Sequence, residues 1–250
     1  LAEDIIESGE ESGGFLSSHR IISTMTHCGD GQFGNATGLR VHARTIADCV
    51  CKDNRIVHEW LVRDQGAIAQ QLGLKPQELA QTWLNQRGPW SKPKAGPAPL
   101  GYNSHIDTHP LAQAYAQGME AAAAGDAMDM RFYDEAVHHI GPCETTRYGH
   151  AEVRSYWESL FSALQVDHFV VEHLALNQGQ GRADRLALRW RANAHHTNQR
   201  SECAMFGEAT GQPVEIMGIN HVEIVQGKVL REWVLIDDVA IWMQILRPQN

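Results

Sequence analysis

Apolar positions change period along this chain, and the changes mark out its elements. In Gly149–Leu164, Val153, Tyr156, Trp157, Leu160 and Phe161 recur at helical spacing, which predicts an amphipathic helix. Beyond it, His168–Leu176, Arg185–His196, Pro213–Val225 and Lys228–Ile236 alternate apolar and polar residues as strands do. Gln226–Gly227 joins the last two as a hairpin turn, and Asp53–Asn54 stands at the equivalent place upstream. Leu111, Tyr115 and Met119 are spaced for a further helix, with Pro110 in its first turn and Asp107 or Thr108 as its cap. A short second helix is expected after Gly125–Asp126, and a turn with a short strand over Phe132–Pro142. The unit reads as helices, then a long antiparallel sheet, then a closing helix, an α+β architecture.

The pattern occurs twice. "FGNATG" at 33–38 returns as "FGEATG" at 206–211, and "IVHEWLVRDQGAI" at 56–68 as "VLREWVLIDDVAI" at 229–241. Without a gap, 12 of 36 positions agree between 33–68 and 206–241, where average composition gives roughly two. A self-match at one fixed offset predicts two copies of one structural unit, too widely spaced for a solenoid. The expected division is a unit at 1–74, a Pro-rich linker with a short helix from Pro76 at 75–106, and a complete unit at 107–250. Trp83 and Trp90 in that middle stretch are expected to pack on a domain surface. Asp64 has 63 residues before it, whereas Asp237 lies 129 residues after Thr108, so the first copy is shorter by 129 − 63 = 66 residues. The expectation is that its helical half precedes Leu1 in the natural protein.

Composition narrows the function. A formal charge of −9 speaks against a nucleic-acid surface, which needs clustered Lys and Arg. No apolar run approaches the roughly 18 residues of a membrane span. Five scattered cysteines suggest reduced thiols in a cytoplasmic protein rather than a disulfide framework. Among the 14 histidines, the adjacent pairs His138–His139 and His195–His196 diverge in strands and no HxxxH or HExxH spacing joins them, so no metal is expected. Without GxxxxGK[ST] or GxSxG, a P-loop and an elbow-type serine nucleophile have no local support, and no cofactor is expected.

"FYDEAVHHIGP", the helix holding "RSYW", and "FGEATGQPVEIMGINHVEIVQGKVLREWVLID" resemble the SnoaL-like polyketide cyclase family, within the nuclear-transport-factor-2-like, cystatin-like fold. The first copy resembles the second half of the same pattern. The resemblance implies tandem cone-shaped barrels, each a curved, mostly antiparallel sheet wrapped on helices around a pocket. Because the family pairs through its sheets, the two copies are expected to form a pseudo-dimer within one chain, with further homo-oligomerisation open.

The family's acid/base Asp falls at Val234 and its pocket His at Asn220, or at Leu61 and Ala47 in the first copy. The candidates are therefore displaced ones. His221, turned inward by a bulge, could abstract a proton α to a carbonyl, with Asp48 as its counterpart in copy one; an ordinary strand position is the alternative. The resemblance puts His139 at the pocket mouth. Tyr133 could donate its hydroxyl or simply pack, and Trp157 and Phe161 form pocket floor or core. Asp237 and Asp64 each precede a helical run and suit an N-cap as well as a catalytic role. Trp60 and Trp233 occupy one site in both copies and read as structural. Two functions stay open: a cofactor-independent enzyme of cyclase, isomerase or lyase type acting on a small hydrophobic carbonyl or polyketide-like substrate, or a non-catalytic module binding a small hydrophobic ligand.

Overall fold

A computed structural model describes residues 1–9, 14–87, 105–197 and 205–248. Trp90, Cys203 and most of the Pro-rich stretch lie outside the described residues. The chain folds as α+β, with two sheets. The first has the order β1 (Ala2–Ser8), β2 (Gly14–Thr26), β3 (Arg40–Lys52) and β4 (Arg55–Arg63), antiparallel throughout. Two helices follow it, α1 (Gln65–Gln71) and α2 (Pro76–Arg87), the latter beginning at the expected proline.

The rest of the chain supplies α3 (Pro110–Ala123), β5 (Tyr133–Ile140), β6 (Thr146–Tyr148), α4 (Gly149–Ala163), β7 (Leu164–Asn177), β8 (Asp184–His196), β9 (Pro213–Val225), β10 (Lys228–Ile236) and α5 (Asp238–Ile245). Its sheet runs β6-β5-β10-β9-β8-β7, parallel only between β5 and β10. The helix expected after Asp126 is a three-residue 3-10 turn, Met130–Phe132. His109, not Asp107 or Thr108, caps α3, its Nδ1 accepting from the Leu111 N–H at 3.2 Å. Asp107 supports that cap instead, accepting from the His109 N–H at 2.8 Å. In both hairpins the two turn residues have positive φ: Asp53 and Asn54 at 49° and 58°, Gln226 and Gly227 at 51° and 76°, which matches the strands' right-handed twist.

Helices α3 and α4 cover one face of the six-stranded sheet. Strand alternation sends Leu188, Trp190, Asn220, Val222, Glu232 and Val234 to that face, where Tyr115, Met119, Trp157 and Leu160 meet them. The opposite face packs on the first sheet. Ile46 and Val62 of that sheet meet Ile219 and Leu235 in one apolar cluster, each pair separated by the same 173 positions as the sequence repeat. Around it the contacts are reciprocal: Arg20 stacks over the Trp233 ring and Arg189 over the Trp60 ring. Trp83 packs with Leu79, Ala80 and Leu84 of α2 against Val239 and Met243 of α5, and donates to the Gln32 carbonyl at 2.6 Å.

Candidate active site

Strand β10 passes through the middle of its sheet, and Glu232 is the one carboxylate its inner face carries into the apolar core. Its side chain is fully buried. The carboxylate accepts from the Tyr115 hydroxyl at 2.5 Å, the Tyr133 hydroxyl at 3.0 Å and the Trp157 indole N–H at 3.4 Å. Burial pushes its pKa up to about 7, against the opposing pull of those three donors. The same burial, with the adjacent carboxylate, drives the Tyr115 and Tyr133 phenols far above their ordinary value, so both remain donors.

A relay orients the first of them. The Trp190 indole N–H donates to Asn220 Oδ1 at 3.1 Å, which fixes the amide, and Asn220 Nδ2 donates to the Tyr115 oxygen at 2.8 Å. The Tyr115 proton is left to point at Glu232. Gly218 makes room for this: a Cβ there would come within 2.1 Å of the Trp190 ring.

His139 flanks the carboxylate, with Nε2 3.7 Å from Glu232 Oε2. That separation is beyond hydrogen-bond range, and burial, reinforced by Arg147, holds the imidazole pKa down to about 3. It is therefore a neutral ring beside an acid and not an ion pair. Neither ring nitrogen has a partner, nor has the buried Tyr156 hydroxyl, whose ring lies 4.5 Å from that of His139. Arg147 stands over the Tyr156 ring, 4.5 Å from its centroid. Trp157 stacks on Phe161 at 5.7 Å and closes the cluster from below. Three unpartnered polar atoms around one poised carboxyl are what a polar ligand or ordered water would satisfy.

The structure thus brings together Tyr133, His139, Trp157, Phe161, Asn220 and Val234. It takes the other three sequence candidates elsewhere. Strand β9 has no bulge at His221: the register shift on its β10 side lies between Val229 and Arg231. His221 therefore faces away from Asn220, toward the first sheet, where its Nε2 meets the Ser18 hydroxyl at 2.9 Å. Asp48 lies in the same inter-sheet layer, bonded to His173 and Arg189. Asp237 caps α5, accepting from the Ala240 N–H at 3.0 Å, as Asp64 caps α1 through Ala67 at 2.9 Å. Glu232, Tyr115 and Tyr156 were missed. The available signal for Glu232 was a charged residue on the apolar side of an alternating strand, two positions before Val234.

Among the described residues, one group could offer three metal ligands: Asp64, Cys143 and Asp238. Its chemistry does not suit a cation. Asp64 is occupied by the N–H groups of Ala67, Cys143 and Glu144, and the Cys143 thiol donates to Asp238 at 3.2 Å. Burial holds the thiol in its protonated form and raises Asp238 to about 7. A separate surface recess of about 640 Å³ is lined by Met128, Met130, Arg131, His150 and Arg154, none of which belongs to the Glu232 cluster.

Residues 111–245, more than half of the chain, match the family described as SnoaL-like polyketide cyclase. The chain belongs to that family. Solved structures similar to this SnoaL-like chain include AclR from Streptomyces galilaeus, at 18% identity over 56% of this chain and 87% of that one, with a TM-score of 0.45. TsrD from Streptomyces laurentii is 15% identical over 57% and 98%, with a TM-score of 0.45. IdmH from Streptomyces antibioticus is 18% identical over 55% and 99%, with a TM-score of 0.43. Comparison with curated proteins gave no match. No helix among the described residues is long and apolar enough to cross a membrane.

Proposed function

We propose that the unit at 107–250 is a cofactor-independent acid–base enzyme for a small hydrophobic carbonyl or polyketide-like substrate, with Glu232 as its proton carrier. One observation carries this reading: a fully buried carboxyl whose pKa is raised to about 7 stands beside polar atoms of His139 and Tyr156 that no protein group satisfies. A carboxyl at that value exchanges protons in both directions near neutral pH. Ionised Glu232 takes a proton from the carbon next to the substrate carbonyl. The Tyr156 hydroxyl donates to the enolate oxygen that forms, and Glu232 returns the proton to the rearranged carbon. Tyr115 and Tyr133 hold the carboxylate in place. Every member of the cluster is sealed, so substrate entry needs an opening motion.

The reciprocal stacking of Arg20 on Trp233 and Arg189 on Trp60 supports reading 1–74 and 107–250 as two copies paired through their sheets, with 75–106 as the connection. In such a pair, residue i meets j and j's counterpart meets i's counterpart. The second reading, a binding module without catalysis, is favoured by Val234 and Asn220 at the places where the family resemblance implies an acid/base pair.

Exchange of α-protons in D₂O, followed by NMR over a panel of small enolisable ketones, tests the first reading. The expected rate depends on one group titrating near pH 7 and is abolished by Glu232→Gln. A wild-type chain that binds a panel ketone and exchanges none of its protons would establish the binding module instead.

A further inference from the structure

A second arrangement of chemically competent side chains lies outside the Glu232 cluster, at the rim between the two sheets. The Ser8 hydroxyl, at the end of β1, is 2.8 Å from His173 Nε2, and His173 Nδ1 is 2.9 Å from both oxygens of Asp48. The three residues come from three strands, with separations of 165 and 125 positions. Asp48 and His173 are fully buried, whereas Ser8 is only half-buried. We propose that Ser8, His173 and Asp48 form a nucleophilic triad in which Ser8 accepts acyl groups from small esters.

The hydrogen-bond chemistry sets the direction of the proton. A carboxylate only accepts, so His173 carries its proton on Nδ1, and Nε2 is left as the acceptor for the Ser8 O–H. Arg189 donates to Asp48 at 2.5 Å and to Glu172 at 3.1 Å, which fixes the carboxylate against the ring. The same interface contains a contrast. Ser18 also meets a histidine, His221 Nε2, at 2.9 Å, but both residues are sealed and His221 Nδ1 has no partner. Nothing there sets the tautomer and no substrate reaches the oxygen.

In the reaction, Ser8 Oγ bonds to the acyl carbon as its proton passes to His173 Nε2. The imidazolium, held by Asp48, gives that proton to the alkoxide as the ester C–O bond breaks. Water, deprotonated by the same ring, then releases the acid and restores Ser8.

The test treats the full chain with a fluorophosphonate probe, which loses fluoride to a nucleophilic serine, and maps the label by mass spectrometry. The expected result is one label per chain, on Ser8 and not Ser18, with a matching burst of p-nitrophenol from p-nitrophenyl acetate. Ser8→Ala removes both signals. Asp48→Asn slows labelling by at least about 100-fold by releasing the tautomer. Because Asp48 is buried and that variant could unfold, Ser8→Cys is the second probe: its thiol is expected to react with iodoacetamide at least about tenfold faster than the exposed Cys28. A folded wild-type chain with Ser8 unlabelled, or a Ser8→Cys thiol no faster than Cys28, overturns the proposal.

Discussion

The Arg20 guanidinium carbon lies 3.5 Å from the centroid of the Trp233 ring, and Arg189 repeats the contact over Trp60 at 3.6 Å. Trp60 and Trp233 are 173 positions apart, the offset of the sequence repeat, and Arg20 and Arg189 are 169 apart, so each sheet lends an arginine to a tryptophan of the other. Desolvated stacking of this kind is worth about 2 kcal/mol. Arg20→Ala is expected to lower the urea unfolding free energy by about that much. Arg189→Ala is expected to cost more, about 3–5 kcal/mol, because it leaves the buried Asp48 carboxylate without its cation. Equal losses for the two variants would show that Asp48 draws no net support from Arg189.

Glu232 ties stability to pH. Its folded pKa of about 7 lies above the ordinary carboxyl value of 4.5. Below 4.5 the group is protonated in both states. Between 4.5 and 7 the unfolded chain loses the proton first, so folded stability falls as pH rises, by roughly 3 kcal/mol in total. Asp237 and Asp238, raised to about 6 and 7, act in the same direction. His139 acts oppositely: its pKa of about 3 costs stability as pH falls below 6.5. Glu232→Gln is therefore expected to be more stable than wild type at pH 8 and close to it at pH 4.5. Denaturant melts at the two values check this, and an unchanged pH dependence in the variant would remove Glu232 as its source.

Much of the scaffold was legible because it depends on local periods. The hairpin turns, the capping aspartates, α4 and the start of α2 followed from alternation, helical spacing and single Asp or Pro positions. The candidate site was legible only in part. The family resemblance places an acid at Val234, although alternation puts Glu232 on the same face two residues earlier. An inward His221 needs a bulge, and the unbroken register around His221 in β9 forbids it. Tyr115, on a helix more than a hundred residues upstream, reaches Glu232 only once α3 lies across the sheet. The Ser8–His173–Asp48 contact depends on the packing of two sheets and leaves no trace in spacing.

Tyr115→Phe tests how far the surroundings tune the carboxyl. The variant loses the closest donor to Glu232 and leaves Asn220 Nδ2 only the weak Met119 Sδ acceptor at 4.0 Å. The donor favours the ionised form, so its loss raises the Glu232 pKa further. The expected outcome is an upward shift in the titration of the Glu232 carboxyl, followed by ¹³C NMR, together with a stability loss of about 1–3 kcal/mol. A shift downward would mean that the phenol acts mainly by excluding water.

Gly218 supports the same relay from beneath. An added Cβ would lie 2.1 Å from Trp190 Cζ2 and 2.6 Å from its Nε1. The ring cannot easily retreat, since it stacks on Phe169 at 5.2 Å and its N–H holds Asn220 Oδ1 at 3.1 Å. Overpacking of this kind costs about 1–3 kcal/mol or more. Gly218→Ala is expected to reach the upper end of that range and to disturb the Glu232 titration as well, because any tilt of Trp190 releases the Asn220 amide. Gly218→Ala with Trp190→Phe, which relieves the clash and also deletes the indole donor, is expected to recover stability without recovering the titration. Recovery of both in the double variant would show that the Trp190 N–H has no part in orienting Tyr115 toward the carboxyl.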